Sequence, residues 1–431
     1  MKTIQIPFEV AEDRGVTIGI DIPDSVKLIT YVKDEPNPVE DIQQHLMNAV
    51  ENPVSGKTFS ELIKNKKNVL FMIENQFRQA PAHLLLPHLV EEVKKAGGTP
   101  KIICATAKIG ALNEEEVREK IGPELYDSGI EVTSNDPFNQ DVYTFMGVTS
   151  RGIPLWVHNW VAEADVKITI GSTQATLWGY GGSGMVIPGT ASDETIEMNH
   201  VFTLSPDCVP GNNDNHIQND KYEALKMAGI DMGINVITDN LFRISHINAG
   251  DPVESHLESI KEYDKTYRLQ FEEKADITIC GSTAPTNHLF FHTSWAIVNC
   301  EPVTKEDGTI LFASPCPGYQ NWQGWELMDV LKEYLPPSQK NQEKVLRDFY
   351  KKQNELWAGC IWYKIYEILL KKKTKYITRD ENLKFATGVG LDAFGPDDFQ
   401  EEVDKLIKKY GSDCTIAFVP FGRYTVLEPK S

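Results

Sequence analysis

The sequence predicts an α/β protein of two domains, each built on a mainly parallel sheet. Three observations predict it. A chain of 431 residues is long for one compact core, since single domains hold about 100–200 residues. Residues 69–73 (VLFMI) and 101–105 (KIICA) are short apolar runs with a helix-periodic stretch between them, which is the order of a parallel βαβ unit. A second alternation of the same kind begins near Ala275.

The elements follow in order. The first forty residues read as short strands broken at DIPDS and EPNP. Residues 69–73 form a buried strand, and 82–96 a helix with Leu84, Leu85, Leu89, Val90 and Val93 near one face, closed by Gly97 and Gly98. Asn113 caps a helix with an acidic first turn, and 130–133 gives another strand. Residues 166–170 (VKITI) run straight into a glycine-dense loop. At the carboxyl end of a parallel strand, such a loop stands where open α/β sheets place their ligands. In the second half, 277–280 and 309–314 are strands, 293–300 a helix, 344–370 one or two helices and 416–420 a last strand. The charged stretch 256–274 has the pattern of a hinge helix. The expected domains are therefore 1–270 together with 412–431, and 275–411, with a ligand cleft between them.

Composition narrows the function. Acidic residues outnumber basic ones 62 to 43, a formal charge of −19, and such a surface repels nucleic acid and anionic lipid. No run of about 18 apolar residues occurs, so no bilayer span is expected. Seven cysteines are scattered with no C-x-x-C pair, and MKTIQIPFEV lacks the apolar core of a secretory signal. A cytoplasmic protein acting on a small molecule is expected, and an anionic substrate would need a local cationic site.

Residues 168–200, ITIGSTQATLWGYGGSGMVIPGTASDETIEMNH, are the most informative. Gly179, Gly181, Gly182 and Gly184, interrupted by Tyr180 and Ser183, form either a backbone cradle for an anion or a tight turn needing positive φ. It is neither a Walker A loop nor a dinucleotide fingerprint. His200 ends a helix that Ser192 caps, and is a structural histidine or a metal ligand. His288 and His292, at i and i+4, could share a helix face, but no third ligand accompanies them. Arg78, just after a strand, is a fork for a carboxylate or a solvated surface arginine. Trp357 reads as a core aromatic, and Lys371, Lys372, Lys373 and Lys375 as a solvated helix end.

The segments GVTSRGIPLWVHNWVAEADVKITIG (147–171), VIPGTASDETIEMNH (186–200), NAGDPVESH (248–256) and IAFVPFGRYTVLEP (416–429) resemble the lactate racemase family, the nickel-pincer-dependent 2-hydroxy-acid racemases and epimerases. HLLLPHLVEEVKKAG and NEEEVREKIG are similar too, so the resemblance covers nearly the whole chain. It implies two α/β domains hinged around a cleft, with the extreme C-terminus returning to the first. It implies a pyridine-nucleotide pincer that grips nickel and is tethered as a thioamide to a lysine of the glycine-rich segment. One histidine completes the nickel ligands. Two others act as bases on the substrate hydroxyl while hydride leaves Cα and returns to either face of the keto acid.

Carried onto this chain, the metal ligand falls on His200 and the substrate-loop arginine on Arg78, whose aspartate partner is replaced by Asn75. The first catalytic histidine falls on Ile109, beside Lys108, and the second on Thr176. The tether position falls on Gly184, and no lysine occurs between Lys167 and Lys221. The cofactor segment spans Tyr180, Gly181, Gly182, Ser183 and Gly184, while substrate contacts fall near His292 and Ser294 and Trp357 matches a family tryptophan. Catalytic roles therefore rest on Arg78, Lys108 and Thr176. The nickel-pincer nucleotide would be noncovalent or absent, because an amide bond needs an amine that the loop lacks. A hydroxyl proton also needs a base near neutral pKa, which neither isoleucine nor threonine supplies. Three readings follow: a racemase or epimerase of a small 2-hydroxy acid, a lyase or sugar-acid epimerase using another metal, and a non-catalytic ligand-binding paralogue.

Overall fold

The computed structural model describes residues 1–9, 15–284, 286–288, 293–316, 332–351, 359–388 and 390–430. The chain divides into two compact units. One comprises Glu35–Gln174 and Trp178–Tyr263; the other comprises Met1–Asp34, Ala175–Leu177 and Asp264–Ser431. The expected division, 1–270 with 412–431 against 275–411, cuts the chain differently, because strand pairing takes both ends of the chain into the later unit. Lys27–Thr30 pairs with Thr415–Val419, which pairs in turn with Ala275–Gly281.

The first of these units holds a six-stranded sheet in the order Ile244–Gly250, Met232–Thr238, Val166–Ser172, Asn68–Glu74, Thr99–Ala105, Glu131–Ser134. All its pairings are parallel except that of Ile244–Gly250 with Met232–Thr238. A parallel strand covered on both faces needs an unbroken apolar run, and VLFMI is one. Val69, Phe71 and Ile73 enter one core with Leu85, Leu86, Leu89, Val90 and Val93 of helix Ala82–Lys95. Leu70 and Met72 enter the opposite core, with Ile196, Ala224 and Leu225. Leu84, expected on the buried stripe, is exposed and Leu86 takes its place. Helix Glu114–Ile121 starts at Asn113, which accepts from the Glu116 amide while the Glu116 side chain reaches back, a capping box worth about 1 kcal/mol.

From Asn68–Glu74 the chain steps outward to Thr99–Ala105 and Glu131–Ser134, then returns to the other flank at Val166–Ser172. The direction of winding therefore reverses between Asn68–Glu74 and Val166–Ser172. In a doubly wound sheet this switch point opens a crevice beyond the carboxyl ends of the two strands.

The other unit carries a second six-stranded sheet, ordered Ala393–Phe394, Lys373–Ile377, Thr304–Ala313, Ala275–Gly281, Thr415–Val419, Lys27–Thr30, and parallel throughout. The antiparallel hairpin Lys2–Pro7/Thr17–Ile22 packs Ile4, Ile6, Ile20 and Ile22 into its core. The proposed hinge stretch is helix Glu254–Tyr267 followed by strand Arg268–Phe271. The 344–370 region is two helices, Gln339–Tyr350 and Gly359–Leu369. The lysine run is not a solvated helix end: Lys372 is buried, and its ammonium donates to the Glu301 and Thr304 carbonyls and pairs with the Glu301 carboxylate. All seven cysteines are buried thiols, none of them in a disulfide. Among the described residues no helix is long and apolar enough to cross a membrane.

Candidate functional site

The switch-point crevice of the first-described unit lies between the loop after Glu74 and the glycine-rich segment after Ser172. Glu74 stitches the two strand ends together. Its buried carboxylate accepts from the Ser172 amide at 2.8 Å, the Ser172 hydroxyl at 2.9 Å and the Ala80 amide at 2.5 Å. The 75–80 loop is thereby tied at both ends. Inside it Asn75 is also buried, and its Oδ1 accepts from the Phe77 amide at 3.0 Å. Asn75 is thus a turn former, and half-buried Arg78, whose amide donates to the Asn75 carbonyl, is the cation this loop carries.

The glycine-rich segment is held from behind by helix His216–Met227. Ser183 is buried and its hydroxyl accepts from Gln218 Nε2 at 2.5 Å. One turn on, Tyr222 Oη lies 2.7 Å from His256 Nδ1, and His256 Nε2 lies 2.6 Å from the Gly181 carbonyl. A carbonyl only accepts, so Nε2 carries the ring proton and Nδ1 accepts from the tyrosine. Burial drives the His256 pKa down to about 4, which fixes the ring as neutral. Gly182 sits at φ +107°, and a Cβ there would lie 3.0 Å from the same imidazole. The glycine at this position is therefore required twice, by backbone angle and by His256. Gly184 differs: it has ordinary φ of −87°, and a Cβ would sit 3.4 Å from Pro188 Cδ. Tyr180 is fully buried, its ring edge-on to Tyr263 at 6.0 Å.

His200 closes helix Asp193–His200, capped by Ser192. It is 2% exposed, and its Nδ1 lies 2.9 Å from the Ile196 carbonyl, so Nδ1 is the protonated nitrogen and Nε2 the basic one. Burial first, and then the Lys221 ammonium, depress its pKa to about 3. Its ring stands edge-on to Trp178 at 5.1 Å. A neutral imidazole with its second nitrogen locked to a carbonyl is the form that ligates a metal.

Lys108, assigned as a stand-in base, is held differently. Its side chain is 2% exposed and its ammonium pairs with Asp193 and, at 2.9 Å, with Glu197. Two carboxylates from the first turns of the His200 helix grip it, so it anchors that helix. Replacing Lys108 with methionine leaves two adjacent carboxylates without a counter-charge, and should lower the unfolding free energy by about 3 kcal/mol. Adding Glu197→Gln in the same chain should return part of the loss, both read by urea unfolding. A stability unchanged by Lys108→Met would contradict the anchoring role.

Thr176 is buried within Ala175–Leu177 and Ser294 is buried at the start of helix Trp295–Cys300; both belong to the other unit. His292 and Trp357 lie outside the described residues, and 286–288 is a single 3-10 turn. Arg78, Tyr180–Gly184 and His200 all belong to one unit. Sequence reasoning missed Glu74, Gln218, Lys221 and His256. A signal existed for two of these: Glu74 is the one acid on an otherwise apolar strand, and His256 ends the NAGDPVESH segment.

Residues 15–209 match the lactate racemase N-terminal domain. A curated lactate racemase from Thermoanaerobacterium thermosaccharolyticum is 24% identical over 100% of both chains. Along its whole length the chain is similar to lactate racemases, and residues 15–209 carry that family's N-terminal domain. A second lactate racemase, from Lactiplantibacillus plantarum, is 25% identical over 78% of this chain and 81% of its own. The fold agrees: the lactate racemase apoprotein from T. thermosaccharolyticum superposes with a TM-score of 0.85 at 22% identity, over 99% of this chain and 100% of that one. A structural-genomics protein from Thermotoga maritima gives 0.66 at 16% identity, over 93% and 100%.

Proposed function

We propose that this chain is a member of the lactate racemase family and an isomerase, a racemase or epimerase of a small 2-hydroxy acid, with nickel held at His200 by a noncovalently bound pincer nucleotide. The supporting observation is the buried, neutral His200 imidazole, with Nδ1–H on the Ile196 carbonyl and Nε2 left as its basic nitrogen. The donor set fits such a group in one respect. Among the described residues no cluster of three His, Cys, Asp or Glu could hold a metal alone, so the remaining donors would come from an organic cofactor. It does not fit a covalent tether, because no lysine lies between Lys167 and Lys221.

When bound, the nickel-pincer group would supply the hydride acceptor and donor. This chain's own residues would bind and position the reactants. Arg78 presents a planar fork to the substrate carboxylate. Tyr180–Gly184 gives the cofactor a close backbone approach, and the Gln218 and His256 supports keep that backbone in place. Cytoplasmic action fits seven thiols with no disulfide among them.

The test is co-expression with enzymes that make the cofactor, followed by nickel analysis and chiral chromatography of a 2-hydroxy-acid panel. Wild type should hold about one nickel per chain and racemise at least one acid, while His200→Ala loses the metal and at least 100-fold of the rate. Wild-type protein with neither nickel nor turnover sinks the proposal. A second reading, ligand binding without turnover, is favoured by Ile109 and Thr176 standing where the resemblance expects bases. Bound nickel and bound acid with no inverted product would select it.

A further inference from the structure

Three lysines are buried among the described residues, Lys108, Lys221 and Lys372, and two of them are neutralised. Lys108 lies between Asp193 and Glu197, and Lys372 meets the Glu301 carboxylate and two backbone carbonyls. Lys221 is 4% exposed, on the helix that braces the glycine-rich segment, and meets no carboxylate among the described residues. Its neighbour Asp220 accepts instead from Thr149 and Asn199. What Lys221 meets is an indole: Nζ stands 5.2 Å from the centroid of the Trp178 ring. That ring is pinned, because its Nε1–H donates to Thr203 Oγ1 at 2.8 Å and it packs edge-on to His200 at 5.1 Å.

Burying an ammonium against an apolar face disfavours its charged form. Burial holds the Lys221 pKa down at about 8, where an exposed lysine titrates near 10.4. At pH ~8 about half of these amines are therefore unprotonated, against under ~1% of exposed ones. An unprotonated amine is a nucleophile, and a lysine desolvated in an apolar pocket is the kind that condenses with carbonyl groups. The indole suits the product too. A protonated imine keeps its positive charge at Nζ, and the Trp178 face stabilises that charge as it does the ammonium.

We propose that Lys221 is a carbonyl-trapping nucleophile, which condenses with a small 2-keto acid to form an imine over the Trp178 face. The Nζ lone pair adds to the carbonyl carbon, and the carbonyl oxygen becomes a hydroxyl. Loss of that hydroxyl as water leaves the C=N bond; water reverses the step, and no oxidant or reductant is consumed. The proposed function enters only in the choice of carbonyl, because a 2-keto acid is what a 2-hydroxy acid becomes when hydride and the hydroxyl proton leave. An imine at Lys221 holds on the protein a keto acid that would otherwise escape.

For the test, full-length, nickel-free protein is incubated at pH ~8 with pyruvate or glyoxylate and cyanoborohydride, which delivers hydride to an imine carbon and makes the bond permanent. Intact mass should show one added acid per chain. Peptide mapping should place it at Lys221, at least tenfold ahead of any other lysine. Lys221→Met and Lys221→Arg should both lose that adduct, with circular dichroism checking that each is folded. Wild-type labelling spread over surface lysines with Lys221 unmodified overturns the proposal, and so does a single-site adduct that persists in both variants. The wild-type peptide map decides even where a variant fails to fold. Nickel plays no part in this measurement, so its failure is separable from that of the proposed function, which the nickel content and the chiral assay read independently.

Discussion

A Gly184→Lys variant, co-expressed with the enzymes that build the pincer nucleotide, is expected to carry a covalent mass adduct that wild type never shows. The expectation combines chemistry and geometry. By resemblance to the family, position 184 is where an amine anchors the cofactor, and this chain places a glycine there. Most glycines of the segment would refuse a side chain. Gly179 has φ +99° and its Cβ would fall 2.3 Å from the Asn212 carbonyl oxygen; Gly182 has φ +107° and faces the His256 ring. Gly184 has φ −87° and ψ 15°, and its nearest neighbours to a Cβ lie at 3.4 and 3.6 Å, ordinary van der Waals distances. It is also half-buried, which leaves a long side chain a way out. Unfolding should therefore stay within about 1 kcal/mol of wild type, since a residue replacing glycine at a compatible angle also restricts the unfolded chain. Intact-mass spectrometry reads the adduct and urea unfolding reads the cost. A folded Gly184→Lys protein with no adduct, from a host in which a lactate racemase control acquires one, would place the anchor site elsewhere.

The contrast between Gly184 and Gly182 also shows what could be learned from the sequence. Runs such as VLFMI and VKITI announce parallel strands because both faces of each are buried, and Asn113 and Ser192 announce helix starts through their side-chain acceptors. These are local signals, and they survive folding. The positions of Arg78, His200 and the glycine segment in the fold were legible because each sits at the end of a recognisable element. Lys108 was misread because its meaning depends on Asp193 and Glu197, some 85 to 89 positions away. Lys221 reads as one more solvated lysine on a polar helix until the fold lays it on Trp178. Lys372 was read as solvated for the same reason. The division into units failed on the longest-range feature of all, the pairing of Lys27–Thr30 with Thr415–Val419 across nearly the whole chain. No spacing rule reports such a pairing.

Acid should destabilise this protein well above the pH at which carboxylates titrate, and its buried histidines set the window. His158 and His256 are both buried, and burial depresses the pKa of each to about 4. In the unfolded chain each titrates near 6.5. The folded values are the lower ones, so the unfolded state binds more protons between those limits. The stability contributed by keeping the rings neutral is complete above pH ~6.5 and is lost as pH falls toward 4. With His200, whose pKa burial depresses to about 3 in the metal-free protein, three protons give a slope of up to about 4 kcal/mol per pH unit within that window. Asp220 works in the opposite sense: burial raises its pKa above the usual carboxylate value, so its contribution fades as pH rises. One group displaced from a lower starting pKa cannot cancel three histidines between pH 5 and 6.5. His256 should carry the sharper consequence, because a charged ring can no longer accept from Tyr222, and Gly181 and Gly182 lean on that ring. Urea unfolding at half-unit steps from pH 7.5 to 5 measures the slope. His256→Gln, whose amide can still donate to the Gly181 carbonyl, should reduce it by about a third. A wild-type slope near zero across that range would mean that these rings take up protons in the folded state, and that the glycine-rich segment does not rest on a neutral imidazole.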